Sequence, residues 1–319
     1  MTEKVVSLKK KVNLDMSSIT PFLGIIFTFI LFAILTGGTS LSASNLEVIV
    51  NQAFVFALMG VGGMFVFAHG GLDFSIGSCM GMCSYIISLF ILNGYSSIWA
   101  LIASVAFGAL SGFLVGAASE FLGLTPFIAS LCFSYIWRGV VQVILGYNNY
   151  PMPGEFCATY NNWILKVVVL VVVFVVGIFL FNRTKLGKYQ KAIGGNQVVA
   201  QLSGVATKRY VILSHMIFGI CVGLASIFSV ARAAQVYPAS GQGYDMDVLV
   251  ACVLGGMPLS GGNSCRMVSV LIGAVTVAAL DNGLTLVGVD PNLVDGITGI
   301  IFIIVVALSY KRSRGQIIK

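Results

Sequence analysis

Three charged side chains, Asp73, Arg138 and Asp281, lie within or beside long apolar runs of the sequence. An ionisable group in such a run is costly to bury, so it is normally paired, hydrogen-bonded or placed along a polar path. Asp73 lies beside a Gly-Gly bend, and its spacing to Ser75 and Gly77 fits a helix cap better than a contact with a bound solute. Arg138 and Asp281 are therefore the charged candidates for a polar path or an ion pair.

Arg138 and Asp281 lie at similar depths in the helices that the apolar runs predict. Arg138 is about 12 residues into one outward-going run and Asp281 about 14 residues into another, and at about 1.5 Å per residue these depths agree within roughly 3 Å. We predict that the two side chains face each other in the outer half of a helical bundle. The alternative is that each one extends separately to the outer interface.

Three neutral amide side chains, Asn51, Gln52 and Asn282, lie toward the outer halves of apolar runs. Amide groups in this position can hydrogen-bond the hydroxyl groups of a polar solute. Hydrogen bonding between neighbouring helices is the equally ordinary explanation. Together with Arg138 and Asp281, these residues form the predicted polar path.

No motif for catalysis, nucleotide binding or metal binding is present. The sequence lacks G-x-x-x-x-G-K-[ST], G-x-S-x-G and H-E-x-x-H. Its seven cysteines show no CxxC spacing, and Cys79 and Cys83, which share a helix face, have no third ligand nearby in sequence. We therefore expect no active site in this chain, and no cofactor or metal bound by it.

The composition decides which kind of protein must position these residues. Of the 319 residues, 58% are hydrophobic and 9% are charged, against roughly 45–50% and about 25% in soluble domains. A soluble enzyme and a disordered chain are both excluded. Because one membrane-spanning helix takes about 20 residues, the apolar content predicts nine or ten spans in an all-α, polytopic integral membrane protein.

Hydropathy divides the chain into ten apolar runs. A signal peptide is the alternative reading of the first run, but its apolar core is longer than a usual signal sequence. Gly108, Gly112 and Gly116 form overlapping G-x-x-x-G patterns that predict close helix packing. The predicted spans are Ile19–Thr36, Leu46–Ala68, Ser75–Leu92, Ile98–Ala118, Pro126–Leu145, Trp163–Phe181, Tyr210–Ala231, Val248–Met257, Met267–Val287 and Leu293–Leu308.

The distribution of basic residues predicts the orientation of these spans. With ten spans and a cytoplasmic N-terminus, 15 of the 18 lysines and arginines fall on the cytoplasmic side, where such residues collect. Both termini are then cytoplasmic, and the net charge of +7 reflects topology rather than binding to nucleic acid. The predicted organisation is a basic N-terminus (residues 1–18), one transmembrane domain (19–310) and a basic C-terminus (311–319).

Two glycine-rich segments, residues 70–77 (GGLDFSIG) and 255–262 (GGMPLSGG), resemble each other. Each follows a predicted span that descends to the cytoplasm and precedes one that returns. Because six spans separate them, the two copies would form a parallel repeat of the kind found in transporters. Chance similarity of two glycine-rich turns is the alternative.

The long predicted cytoplasmic loop, residues 182–209, contains a short amphipathic helix. Asn196 is a good helix N-cap, and Gly204 suits the position just after the helix end. The helix would expose Val198, Val199 and Leu202 near one side. An exposed apolar face of this kind normally needs a partner, although a helix lying on the membrane or on its own bundle is the alternative.

This loop, KLGKYQKAIGGNQVVAQLSG at 185–204, resembles the coupling loop of permease subunits of ribose-type ABC importers, in the branched-chain amino acid/ribose-type inner-membrane permease family. GGLDFSIG at 70–77, TPFI at 125–128 with Arg138-Gly139 downstream, LGGMPLSGG at 254–262 and NGLTLVG at 282–288 are similar to four further motifs of that family, in order. Two positions depart from the family pattern: Asp281 replaces a usual asparagine, and Met257-Pro258 replace small polar residues.

The resemblance implies the permease subunit of an ATP-driven importer in the bacterial inner membrane, moving a monosaccharide such as a ribose-like pentose or a hexose by alternating access. It implies as partners a second permease copy or paralogue, an extracytoplasmic sugar-binding protein, and an ATPase subunit that uses ATP and Mg. The ATPase would contact Val198, Val199 and Leu202. The remaining coupling residues are Gly194 and Gly195, which would set the preceding turn, and Asn196, Ser203 and Gly204.

Two other functions remain open from the residues. An ion-coupled secondary transporter would need no ATPase, but acidic residues at mid-membrane are almost absent here. An ABC permease for nucleosides or branched-chain amino acids is the other alternative. The AIGGN sequence at 192–196 favours the sugar branch of the resembled family.

Overall fold

The structure of the protein, a computed structural model, describes residues 16–263 and 265–309 and is mostly helical. Ten of its helices correspond to the ten predicted apolar runs. The helices are α1 (Met16–Leu35), α2 (Ala43–Ala68), α3 (Ile76–Leu92), α4 (Ser97–Leu122), α5 (Pro126–Leu145), α6 (Gly154–Tyr160), α7 (Trp163–Arg183), α8 (Lys185–Gly195), α9 (Gln197–Leu202), α10 (Thr207–Ala233), α11 (Tyr244–Leu254), α12 (Met267–Leu286) and α13 (Pro291–Ser309).

Six helices, α2, α4, α5, α7, α10 and α12, are long and apolar enough to cross a membrane, and the apolar parts of α1 and α3 are shorter. The chain is therefore a polytopic, helical membrane protein. Of the predicted cytoplasmic tails, residues 1–15 and 311–319 lie outside the described part of the chain, together with the eight basic side chains that they carry.

Helix α2 is the centre of the bundle. It packs against α10, α12, α11 and α7, and its large side chains, including Phe56, Phe65 and Met64, are almost completely buried. Its apolar residues occur on all sides of the helix, which is the pattern of a helix surrounded by others. By contrast, α7 exposes most of its valines, as expected of a helix that faces lipid.

Helices α4 and α10 pack more closely than any side chain at their contact would permit. A Cβ atom on Gly108 would lie 2.1 Å from the carbonyl oxygen of Gly219, and one on Gly112 would lie 2.0 Å from that of His215. The hydroxyl group of Ser104 adds a hydrogen bond of 2.7 Å to the carbonyl of Gly223. The glycine face predicted on α4 is therefore a helix-packing surface.

The eighth run differs most from its prediction. After α10 the chain forms strand β2 (Gln235–Val236), which pairs antiparallel with β1 (Tyr150–Pro151), and then passes along α3 before α11 begins. Gly241 and Gly243 have left-handed backbone, with φ of +75° and +85°, and α11 begins directly after them at Tyr244, four residues before the predicted Val248. α11 has only 11 residues, because another pair of glycines follows Leu254.

The segment between α10 and α11, residues 234–243, lies tightly against the start of α3. A Cβ atom on Gly77 would lie 2.5 Å from the carbonyl oxygen of Gly241, and one on Gly81 would lie 2.8 Å from that of Ser240. These glycines allow the backbone of a turn to approach a helix at van der Waals distance. α11 consequently begins beside the N-terminal end of α3.

The two glycine-rich segments contact each other at one end of the bundle. The backbone N–H of Gly262 donates to the carbonyl of Ala68, at the end of α2, over 2.9 Å. A Cβ atom on Gly261 would lie 2.6 Å from the backbone nitrogen of Gly70. The segments proposed as a repeat therefore form one packed layer with the end of α2.

Candidate functional site

Helix α9 begins at the residue that the sequence predicts. The Asn196 side chain accepts a hydrogen bond of 3.0 Å from the backbone N–H of Val199, which caps the helix. Ser203 ends it, and Gly204 follows in the left-handed conformation with φ of +83°. The short helix is thus fixed by local signals at both of its ends.

One side of α9 is apolar and exposed. Val198, Val199 and Leu202 are 65%, 57% and 83% exposed, whereas Ala200 is buried beside Ile193 and Val211. Ala200 holds the helix on the bundle and leaves the three larger side chains free of intramolecular contacts that would bury them. α9 therefore presents a small apolar surface beyond the ends of the long helices.

Gly194 and Gly195 have a different role from the predicted turn. Both lie inside α8, a helix that the sequence analysis missed, and neither has a positive φ angle. A Cβ atom on Gly194 would lie 2.1 Å from the carbonyl oxygen of Ala68 and 2.6 Å from the backbone nitrogen of Gly262. Gly194 is required for close packing of α8 on the bundle, and the turn occurs at Asn196.

The predicted pairing of Arg138 with Asp281 is wrong. The Arg138 guanidinium donates to the carbonyls of Ser240 at 2.9 Å and Pro238 at 3.4 Å, whereas Asp281 accepts from Gln52 Nε2 at 3.2 Å. The two helices have different neighbours in the bundle: α5 packs on α3 and α4, while α12 packs on α1, α2 and α11. Equal depth in the bundle does not place two helices side by side.

The other predicted path residues separate into two places. Asn51 accepts a hydrogen bond from the ammonium group of Lys166, a buried lysine of α7 that also donates to Asn161 over 2.9 Å. Gln52 and Asp281 join α2 to α12, and the buried amide oxygen of Asn282 has no hydrogen-bond partner among the described residues. Asn51 alone of the five lines the cavity described next.

A cavity of about 390 Å³ lies between α2, α3, α10 and the segment before α11. Val48, Arg232 and Gln235 are exposed at its mouth, and Ser84, Val230 and Ser240 are buried at its floor. The mouth is at the ends of α2 and α10 opposite to the end that carries α9. Sequence reasoning missed this cavity because four distant chain segments contribute to it.

Three side chains converge on the wall of the cavity. The Tyr244 hydroxyl accepts a hydrogen bond from Arg232 over 3.2 Å and lies 3.3 Å from the hydroxyl of Ser229. Phe56 supports the Tyr244 ring with an edge contact at 5.5 Å between centroids. The side chain that begins α11 is thereby fixed to the end of α10.

A buried Asp–His pair lies toward the other end of the bundle. Asp73 Oδ1 accepts hydrogen bonds from the backbone N–H and the hydroxyl of Ser75, at 2.9 Å and 2.6 Å, and Oδ2 lies 2.7 Å from His215 Nδ1. The His69 ring lies 5.7 Å from that of His215, centroid to centroid. The predicted contact of Asp73 with Ser75 is present, but α3 begins at Ile76 with Ser75 at its N-cap and no side-chain cap, so Asp73 orders the turn before the helix and does not cap it. No contact with Gly77 is formed, and the histidine partner was missed.

Comparison with known proteins shows which protein family this chain matches. The profile of the family described as "Branched-chain amino acid transport system / permease component" matches residues 45–306. The chain is 30% identical to the ribose import permease protein RbsC of Bacillus subtilis (strain 168) over 323 residues, which cover 98% of this chain and 99% of RbsC. No solved structure matches it significantly.

Other relatives are named for other sugars. The D-allose transport system permease protein AlsC of Escherichia coli (strain K12) is 29% identical over 274 residues, covering 84% of each chain. The fructose import permease protein FrcC of Rhizobium meliloti is 28% identical over 309 residues, covering 90% of this chain and 84% of FrcC. The family profile and the RbsC alignment each span most of the chain, so the protein belongs to the branched-chain amino acid/ribose-type family of ABC importer permeases.

Proposed function

We propose that this chain is the membrane-spanning subunit of an ATP-driven importer that moves a monosaccharide into the bacterial cytoplasm. The observation that carries the proposal is α9, a capped helix with an exposed apolar face in a chain whose relatives are named as sugar import permeases. An apolar surface at the end of a membrane bundle, away from the lipid-facing sides, needs a protein to cover it.

The partner proposed for α9 is a separate ATPase subunit, which uses ATP and Mg. Val198, Val199 and Leu202 would enter a groove of that subunit, while Asn196, Ser203 and Gly204 hold the helix in shape. ATP-driven movement of the ATPase can shift the permease only if the contact differs between its two states. Gly194 would pass the displacement to the end of α2, which its backbone touches.

The proposed topology has ten spans and two cytoplasmic termini. The distribution of basic residues supports this topology, because it places residues 182–209, with six basic side chains, on the same side as the basic tails at 1–18 and 311–319. The domain from 19 to 310 would then form one permease unit, paired with a second copy or a paralogue. A sugar-binding protein would deliver the substrate to the opposite face.

Affinity purification of the tagged chain from native membranes tests the proposal. We expect a two-domain ATPase to co-purify with the wild type and to be lost from the double variant Val198→Asp/Leu202→Asp. The matched control is Ile98→Asp/Trp99→Asp, which places the same charges on an exposed apolar face at the other end of the bundle. That variant should retain the ATPase if it reaches the membrane.

The purified complex then provides the functional readout. Uptake of radiolabelled D-ribose, D-allose or fructose into proteoliposomes should require ATP and the binding protein. A chain that purifies intact, without an ATPase, and still moves substrate along an ion gradient would contradict the proposal and support a secondary transporter.

A further inference from the structure

The cavity between α2, α3, α10 and the segment 234–243 has the size and shape of a small-molecule site. Its volume of about 390 Å³ falls within the range of roughly 300–1,000 Å³ that is usual for such sites. It is formed entirely by one chain and opens at the end of the bundle opposite to α9. A ligand that enters it would come from the outer side in the proposed topology.

The lining of this cavity is rich in groups that bind hydroxyls. Hydroxyl groups of Ser84, Ser229 and Tyr244, the guanidinium of Arg232 and the amide of Gln235 all border it. None of the described lining residues is acidic. Such a mixture of neutral donors and acceptors with one exposed arginine suits a polyhydroxylated, uncharged molecule better than a cation or an apolar solute.

Asn51 is oriented by a residue outside the cavity. Its amide oxygen accepts the hydrogen bond from the ammonium group of Lys166, a residue that is only 2% exposed. With the oxygen held in this way, the amide NH₂ group of Asn51 is the part left for a ligand. A buried lysine that donates to the amides of Asn51 and Asn161 is a costly arrangement, and a fixed Asn51 donor at the cavity wall is one result of it.

The floor of the cavity includes the segment before α11. The carbonyl of Ser240 lies against Gly81, and that of Gly241 against Gly77, so this segment is in close contact with α3 at these two positions. Arg138 holds the segment through its hydrogen bonds to Pro238 and Ser240. Ser240 and Gly241 of this segment therefore form one wall of the cavity, and a ligand that moves toward α3 on this side meets the segment.

We propose that this cavity binds one monosaccharide within a single permease subunit, with Tyr244, Arg232, Ser229 and Asn51 as hydrogen-bonding residues. The inference rests on the proposed sugar import. Two copies of the chain would hold two such sites, each on the outer side of its own floor segment. Arg138 is a positioning residue for the site, since it holds the floor and does not line the cavity.

Uptake kinetics test the assignment. Tyr244→Phe removes one hydroxyl, and Arg232→Gln removes the group that donates to it; each should raise KM for the transported probe, D-ribose, D-allose or fructose, roughly five- to tenfold. Tyr95→Phe, at the outer turn after α3 and away from the cavity, is the matched control and should leave KM unchanged. Binding of the ATPase should be the same in all four proteins.

Protection of an introduced cysteine gives a readout that does not need transport. Ser229→Cys should react with a membrane-impermeant methanethiosulfonate added from the outer side, and a millimolar concentration of the same sugar should slow the reaction at least about threefold. Ser96→Cys, in the exposed outer turn before α4, should react equally with and without sugar, and the wild type provides the blank for the native cysteines.

The possible results separate the two proposals. A wild type that transports one of the sugars, with unchanged KM in both variants and no protection of Ser229→Cys, would overturn the cavity site and leave sugar import intact. A wild type that transports none of them, with no protection, would overturn both. Raised KM with protection by the transported sugar would establish the site.

Discussion

At the scale of single residues, the Asp73–His215 pair shows how polar groups can be buried in this bundle. Both side chains are almost completely inaccessible, and the Asp73 carboxylate uses one oxygen for Ser75 and the other for His215. The contact joins α10 to the turn between α2 and α3. Such a pair stabilises a particular arrangement of helices chiefly because separating its members leaves an unpaired buried charge.

Removing the carboxylate should therefore destabilise the protein. We expect Asp73→Asn to lower the free energy of unfolding by about 3 kcal/mol, measured as a lower midpoint of thermal unfolding in mild detergent. Glu155→Gln, which changes an exposed acidic residue of α6, is the control and should unfold like the wild type. Equal midpoints for all three proteins would show that the buried pair contributes little.

The separation of Arg138 from Asp281 gives a second prediction for single residues. Arg138 is hydrogen-bonded to the segment before α11, and Asp281 is hydrogen-bonded to Gln52. Because each substitution would break one of these contacts, Arg138→Asp and Asp281→Arg should each reduce sugar uptake more than tenfold. Combining the two should restore nothing, because each new charge faces a different neighbour. Recovery of uptake in the double variant would mean that the two residues pair in another conformation of the cycle.

At the scale of helices, the glycine contacts between α4 and α10 leave no room for a side chain. Gly112→Ala would place a methyl group 2.0 Å from a backbone oxygen, so the helices would have to separate. We expect a loss of at least about 2 kcal/mol of stability, seen as lower yield and earlier thermal unfolding. Gly139→Ala in α5 has open space around it and should be tolerated.

Helices were the part of the fold that sequence could predict best. Long apolar runs define α2, α5 and α12 within a few residues, since burial in lipid requires a helix wherever the run is long enough. Local sequence explains one helix that was not predicted and another whose bounds were predicted poorly. α8 has a polar, basic sequence without an apolar run, and α11 begins four residues before the predicted Val248 and ends at Leu254, where two glycines follow.

The candidate sites also divide into one that the local sequence could predict and others that it could not. α9 could be predicted because its cap, its length and its exposed valines lie within nine consecutive residues of one loop. The outer cavity and the Asp73–His215 contact could not, because their residues come from helices separated by more than a hundred positions. Apolar periodicity gives the depth of a residue in a bundle, but it does not give which helices are neighbours.

At the scale of the whole molecule, the orientation in the membrane decides which side of the membrane each end of the bundle faces. α9 lies at one end and the cavity mouth at the other, so the proposed direction of transport depends on which end is cytoplasmic. The basic residues favour the α9 end. A fluorescent protein fused after Lys319 should therefore fluoresce, and alkaline phosphatase inserted in the turn at Gly94 should be active.

The reverse pattern, a non-fluorescent fusion after Lys319 and an inactive phosphatase at Gly94, would invert the topology. The cavity would then open to the cytoplasm and α9 would face outward. Such a result would contradict the proposed ATPase contact independently of any purification. Signals that place both positions on the same side of the membrane would contradict the seven spans predicted between Gly94 and Lys319.

The close contact of α4 with α10 also has a mechanical consequence. Backbone touches backbone at Gly108, Gly112, Gly219 and Gly223, so at these positions no side chain can repack to let one helix slide past the other. The two helices can move only together, as one rigid body. Any opening and closing of the protein must then come from movement of the elements that surround α4 and α10. The segment at residues 234–243 would be the part that moves, and α5 would be the helix that holds it in the closed position.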